Sequence, residues 1–141
     1  MAATQMTFER VTMQDVPVMF VSEHGAPPVS APRAFDRLER ALPSLRGRKF
    51  YGVFDPSSSE YRACVALQEG DEPEAVGCSR GVIAGGVYLR ARLRGEVRQT
   101  TTRISETFAA IAAAAAPDPS RRAVEFYRRR DELDLLFPVL S

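Results

Sequence analysis

Tryptophan is absent, histidine occurs once, at His24, lysine once, at Lys49, and cysteine twice, at Cys64 and Cys78. One imidazole and two thiols are too few soft ligands for a structural zinc site. Any Ser-His-Asp or Cys-His chemistry would have to rest on His24 alone. No metal and no cofactor is therefore expected. The two cysteines stand fourteen positions apart with no second Cys or His pair beside them, which reads as two free thiols in a reducing cytoplasm. The opening MAATQMTFERV has no basic stretch followed by an apolar one, so no secretory leader is predicted. No run nears the ~18 apolar residues of a membrane span. An excess of charge is also missing: 19 basic against 18 acidic side chains leave +1, far from the basic balance that a phosphate backbone favours. Direct nucleic-acid binding and membrane partners are thus not expected.

What is present is an ordinary globular composition, 45% hydrophobic and 26% charged, in 141 residues. That length suffices for one real core, with burial of ~68% of the unfolded chain's surface. Thr7 to Met13 is a weak strand signal, and Val16, Val18 and Phe20 alternate in a stronger one. After the loop EHGAPPV, Ser30 is placed as a helix cap, Pro32 suits the first turn, and Phe35, Leu38, Leu42 and Leu45 recur at helical spacing. Pro43 predicts a helix end near Ala41. KFYGVF and YRACVAL then read as a hairpin around DPSSSE.

Beyond the acidic loop from Gly70 to Gly77 the same order returns. VYLRARL sets Val87, Leu89, Ala91 and Leu93 against Tyr88, Arg90, Arg92 and Arg94. A second helix, capped at Thr100 to Thr102, carries Ile104, Phe108, Ile111 and Ala115 and stops at Pro117. VEFYRRR and LDLLFPV close the chain as two strands. The expected fold is α+β: duplicated β-α-β-β units, about 5–70 and 76–141 within a single domain 1–141, forming a curved, mainly antiparallel sheet. Both helices are expected on one face of that sheet, with a ligand cleft on the other.

GRKFYGVFDP with YRACVAL, then GVIAGGVYLRARLRG, then AVEFYRRRDELDLLFPV together resemble the GyrI-like effector-binding domains, over about Val11 to Val139. The resemblance implies a cleft between the two halves, lined by aromatic side chains and floored by one acid. That acid matches Glu125, and the aromatic two residues on matches Tyr127. Tyr51 or Phe50 of the GRKFYG stretch and Tyr88 after the glycine pair match further aromatic positions, and Phe137 of the last strand is assigned to the same ligand-binding set. Strand alternation independently puts Glu125 and Tyr127 on one face and Val124 and Phe126 on the other. If the latter pair packs under the helices, Glu125 and Tyr127 point into the cleft. Without tryptophan, an aromatic cage must be built from Phe and Tyr.

Blander assignments stand beside these. Glu125 is also readable as a strand glutamate paired with Arg121, Arg122 or one of Arg128 to Arg130, a reading that the motif match and the strand alternation together disfavour. Any of the tyrosines can be sheet packing. Phe35 and Phe108 are core by default. The arginine groups at 121–122 and 128–130 read as a solvated face, offset by Asp131, Glu132 and Asp134. The glycines of GVIAGG lack nucleotide-loop spacing and read as a turn or bulge.

The expected partner is a small molecule, planar and apolar or cationic, bound for sequestration or resistance in the cytoplasm with Glu125 as charge partner. The resemblance also implies an alternative. Some GyrI-like proteins hydrolyse cyclopropane-bearing DNA-alkylating compounds, and here Glu125 would orient or deprotonate water while a tyrosine such as Tyr127 polarises a carbonyl. Glu60 and Glu96 are candidate second acids. A gyrase-inhibiting protein contact is the third class.

Overall fold

β2 (Val16–His24) is apolar on both sides, which requires cover on both faces of the sheet. Met19 and Val21 pack with Ala34 and Leu38 of α1 (Pro27–Ala41), whereas Val18 joins Tyr51, Cys64, Ile83, Tyr88, Val124 and Leu136 on the reverse face. That reverse-face cluster draws from seven strands, so the sheet curls around it. The structure, a computed structural model, describes residues 7–141. The first six residues, part of the stretch MAATQMTFERV for which no secretory leader is predicted, lie outside the described residues. Among the described residues no helix is long and apolar enough to cross a membrane.

The remaining elements are β1 (Glu9–Met13), β3 (Phe50–Asp55), β4 (Glu60–Ala66), a 3-10 turn at Pro73–Val76, β5 (Ser79–Ile83), β6 (Gly86–Arg94), α2 (Val97–Thr101), α3 (Ile104–Ala114), β7 (Val124–Arg129) and β8 (Glu132–Pro138). Every strand pairing is antiparallel, in the order β1-β6-β8-β7-β3-β4-β2-β5. Exchanging β1 to β4 for β5 to β8 turns this order into its own reverse, which is the expected duplication. Each repeat, however, begins with an extra strand, and that strand pairs inside the other repeat: β1 with β6, and β5 with β2.

Local chemistry explains where elements depart from expectation. α1 starts at Pro27 rather than after Ser30, because Pro27 and Pro28 occupy first-turn positions where no N–H is needed. Ser30 lies inside the helix, fully buried, donating its hydroxyl to the carbonyls of Gly25 (3.0 Å) and Ala26 (3.1 Å). The second helix is broken in two around Thr102 and Arg103. Thr101 and Thr102 return their hydroxyls to the carbonyls of Val97 (2.8 Å) and Gln99 (2.7 Å), a competing bond that disfavours continuous helix. β5 went unread because Gly81 interrupts its pattern. Gly81 sits under the Phe20 ring, where a Cβ would come within 2.9 Å.

Both helical segments lie on one face, as expected, but the large cavity does not lie on the other. α1 packs mainly on β2 and β4, and α2 and α3 pack on β8. The central pair β3–β7 is left open between them, so the cavity forms on the helix side.

Candidate functional site

The register of the central pair sets the site. Gly52 on β3 stands opposite Glu125 on β7, and Phe50 opposite Tyr127, all on the helix face. The Glu125 side chain is therefore directed between the helices, at the floor of a cavity of about 660 Å3. That volume falls within the ~300–1,000 Å3 typical of small-molecule pockets. One wall comes from α1 through Pro28, Pro32 and Phe35, the opposite wall from Val97, Ile104 and Phe108. Among the described residues that line it, Glu125 is the only acidic or basic one.

Glu125 is 6% exposed. Its Oε1 accepts hydrogen bonds from the hydroxyls of Tyr61 (2.6 Å) and Tyr127 (2.8 Å). No other donor of the described residues reaches the carboxylate, which leaves Oε2 without a protein partner. Burial pushes the Glu125 carboxyl above the usual glutamate range, and the two tyrosine hydrogen bonds, which favour the ionised form, pull it back. Burial, and then the adjacent carboxylate, raise both tyrosines well above the ordinary phenol value. They remain neutral donors.

Tyr61 escaped the sequence reading. It lies on β4, fully buried, and reaches across β3 to Glu125 on β7. Gly52 makes this possible. A Cβ there would lie 2.5 Å from Glu125 Oε1, 2.9 Å from Tyr61 Cζ, and closer still to the Tyr61 hydroxyl. The signal available in the sequence was a glycine inside KFYGVF, since glycine within a strand marks a close approach. Phe35 completes the packing, edge-on to Tyr127 at 5.1 Å between centroids and to Tyr61 at 6.0 Å. Phe35 and Phe108, read as plain core, both line the cavity.

The other predicted site residues are distributed differently. Phe50 is on the helix face but packs behind Phe35, at 6.5 Å, outside the cavity lining. Phe137 packs against Phe108 at 6.4 Å, also behind the lining. Tyr51 and Tyr88 project from the reverse face, so the sheet separates them from Glu125. Tyr51 stacks on Phe126 at 4.8 Å, and the Tyr88 hydroxyl donates to the carbonyl of Ala84 at 2.5 Å. The two halves of VEFY thus divide opposite to the first assumption, Val124 and Phe126 filling the curl and Glu125 and Tyr127 facing the helices.

Four of the five arginines that competed for Glu125 are engaged elsewhere: Arg121 with Asp118, Arg122 with Asp55, and Arg128 and Arg129 with Glu132. Arg121 also leaves the solvated set, its side chain being 12% exposed. Neither Glu60 nor Glu96 lines the cavity. The Ser22 hydroxyl, ahead of Arg62, holds the Glu60 carboxyl below its usual range. Among the described residues no group of three or more His, Cys, Asp or Glu could hold a metal ion.

No family model matches the chain, and no curated protein matches it in sequence. Solved structures do match its fold. An integron cassette protein from the mobile metagenome of Vibrio cholerae superposes with a TM-score of 0.74 at 12% identity, over 94% of this chain and 95% of the other. SAV2435, solved bound to tetraphenylphosphonium, gives 0.63 at 12% identity over 96% and 95%. A hydrolase from Listeria innocua gives 0.62 at 11% identity over 98% and 94%. These likenesses are of fold.

Proposed function

We propose that this protein is a GyrI-like small-molecule binder that takes lipophilic, flat or delocalised cations between its helices, with Glu125 as the charge partner. The observation that carries this reading is a lone carboxyl group, with no cation beside it among the described residues, at the floor of an otherwise uncharged and mainly apolar cavity. Such a group loses hydration on burial and gains from an incoming positive charge, while Phe35, Phe108 and Tyr127 offer ring faces and edges to an apolar body. The tetraphenylphosphonium bound by SAV2435, a protein of this fold, is a ligand of that chemistry. Stacking and one diffuse charge contact impose few directional demands, so a broad ligand range follows. Sequestration of toxic compounds in the cytoplasm is the role this supports. Titration with tetraphenylphosphonium or a rhodamine, followed by tyrosine fluorescence or calorimetry, should give saturable binding that Glu125→Gln weakens about tenfold. Equal affinity in that variant would remove Glu125 from the proposal.

A second reading is favoured by one detail. Oε1 is fixed by two tyrosines while Oε2 has no donor among the described residues, an arrangement suited to orienting and deprotonating a water. Hydrolytic opening of a cyclopropane-bearing alkylator is the corresponding reaction: hydroxide adds to the ring carbon, the ring C–C bond breaks, and its electron pair takes up a proton. Tyr127 has no free role as carbonyl donor here, since its hydroxyl is committed to Glu125. Mass spectrometry of such a compound after incubation should show a product heavier by one water. An unchanged compound at full cavity occupancy leaves binding alone.

A further inference from the structure

The curl of the sheet encloses a second, smaller cavity of about 200 Å3 on the face away from Glu125. Val18, Cys64, Val124 and the Tyr88 ring give it an apolar floor. Three guanidinium groups border it, those of Arg62, Arg121 and Arg122, and no acidic residue does. The electrostatic character is thus the inverse of the Glu125 cavity.

The three arginines are held from outside. Arg121 donates from Nε to Asp118 (3.0 Å) and from Nη2 to the carbonyls of Val87 (2.9 Å) and Val139 (3.0 Å), and its guanidinium lies over the Tyr88 ring at 4.7 Å. Its Nη1 is buried against Gly86, where an added Cβ would lie 2.6 Å from it, so this nitrogen anchors the side chain and does not face the cavity. Arg62 lies over Phe20 at 4.3 Å with Nε on Glu60 (3.1 Å), and Arg122 pairs through Nη1 with Asp55 (2.8 Å). Glu60, Asp55 and Asp118 all stand outside the lining. Each guanidinium is positioned by an acid behind it and keeps further N–H donors. A carboxylate matches the guanidinium fork, and Arg62 and Arg122 each keep nitrogens that no acid engages.

We propose that this cavity is a second ligand site, selective for a compact monoanion with an apolar body, such as an aromatic or branched carboxylate. The carboxylate meets the uncommitted N–H donors of Arg62 and Arg122, with the Arg121 charge behind them, and the body rests on Val18, Cys64 and Val124. The cavity's size excludes the larger ligands that suit the helix side.

Benzoate is the probe, with benzamide as its uncharged counterpart, followed by amide chemical shifts of the intact chain. Benzoate should give saturable shifts at Ile83, Ala84 and Ser120 to Val124, with benzamide at least about tenfold weaker. Arg121→Gln risks the fold, because Arg121 ties β6 to the C-terminal segment. The more exposed Arg62→Gln and Arg122→Gln serve instead. Each should weaken benzoate severalfold and leave tetraphenylphosphonium binding, whatever its strength, unchanged. Equal shifts from benzamide, shifts at Phe108 and Tyr127 instead, or no saturation by ~10 mM benzoate each overturn the proposal.

Discussion

Replacing Gly52 by alanine tests whether the Tyr61–Glu125 contact depends on the missing side chain. Alanine in a strand interior normally gains about 0.5–1 kcal/mol over glycine, and the backbone at Gly52 is not in the left-handed region. The added methyl would sit 2.5 Å from Glu125 Oε1 and 2.9 Å from Tyr61 Cζ. Tyr61 has no exposure and no room to retreat. Overpacking of this kind costs about 1–3 kcal/mol, and loss of a hydrogen bond to a charged group about 1.5–3 kcal/mol. The contacts outweigh the backbone gain, and Gly52→Ala should destabilise the protein by about 2–4 kcal/mol in urea unfolding. The same change in a Tyr61→Phe background relieves the hydroxyl clash. The penalty should shrink there by at least about 1 kcal/mol, read as a double-mutant cycle. An equal penalty in both backgrounds, or a stabilising Gly52→Ala, would refute the reasoning.

Cation affinity should fall on acidification, with a midpoint above the ordinary glutamate value of 4.5, because only ionised Glu125 attracts the ligand and burial raises its pKa. Tyr61→Phe removes a bond that favours the ionised form and should move that midpoint higher, as pH-dependent titrations would show. Folding stability moves oppositely. The contribution from the raised carboxyl is present below the unfolded-state pKa and is lost as pH rises through the folded one. Cys64, although it lines the second cavity, should react slowly with thiol reagents in the native state, since burial pushes its thiol up to about 12; labelling should accelerate on unfolding. Ser30→Ala should cost about 1 kcal/mol in chemical denaturation, because the hydroxyl that ties α1 to the Gly25 and Ala26 carbonyls is lost.

The duplicated plan was legible because the halves share an order of turns and periods, and the alternation of VEFY separated Glu125 and Tyr127 from Val124 and Phe126. Which side would carry the helices was not. Alternation defines two faces without labelling them, and in a curled sheet both are apolar, as the stack of Tyr51 on Phe126 shows. Tyr61 was hidden for a different reason: its partner lies two strands away in the sheet, at a sequence separation of 64. The break between α2 and α3 followed from threonine hydroxyls, whose bonding depends on geometry and not on spacing.

The crossed placement of β1 and β5 has the form of a strand-swapped pair of identical subunits joined into one chain. In such a pair every side chain near the central junction would appear twice, so a glutamate there would bring its twin. Two carboxylates in one dry cavity oppose each other's ionisation and tend to share a proton. Covalent joining releases the two copies to differ, and here β3 carries Gly52 where β7 carries Glu125. Broken symmetry at that one rung lets a single negative charge stand alone, and neither half could supply such a site by associating with itself.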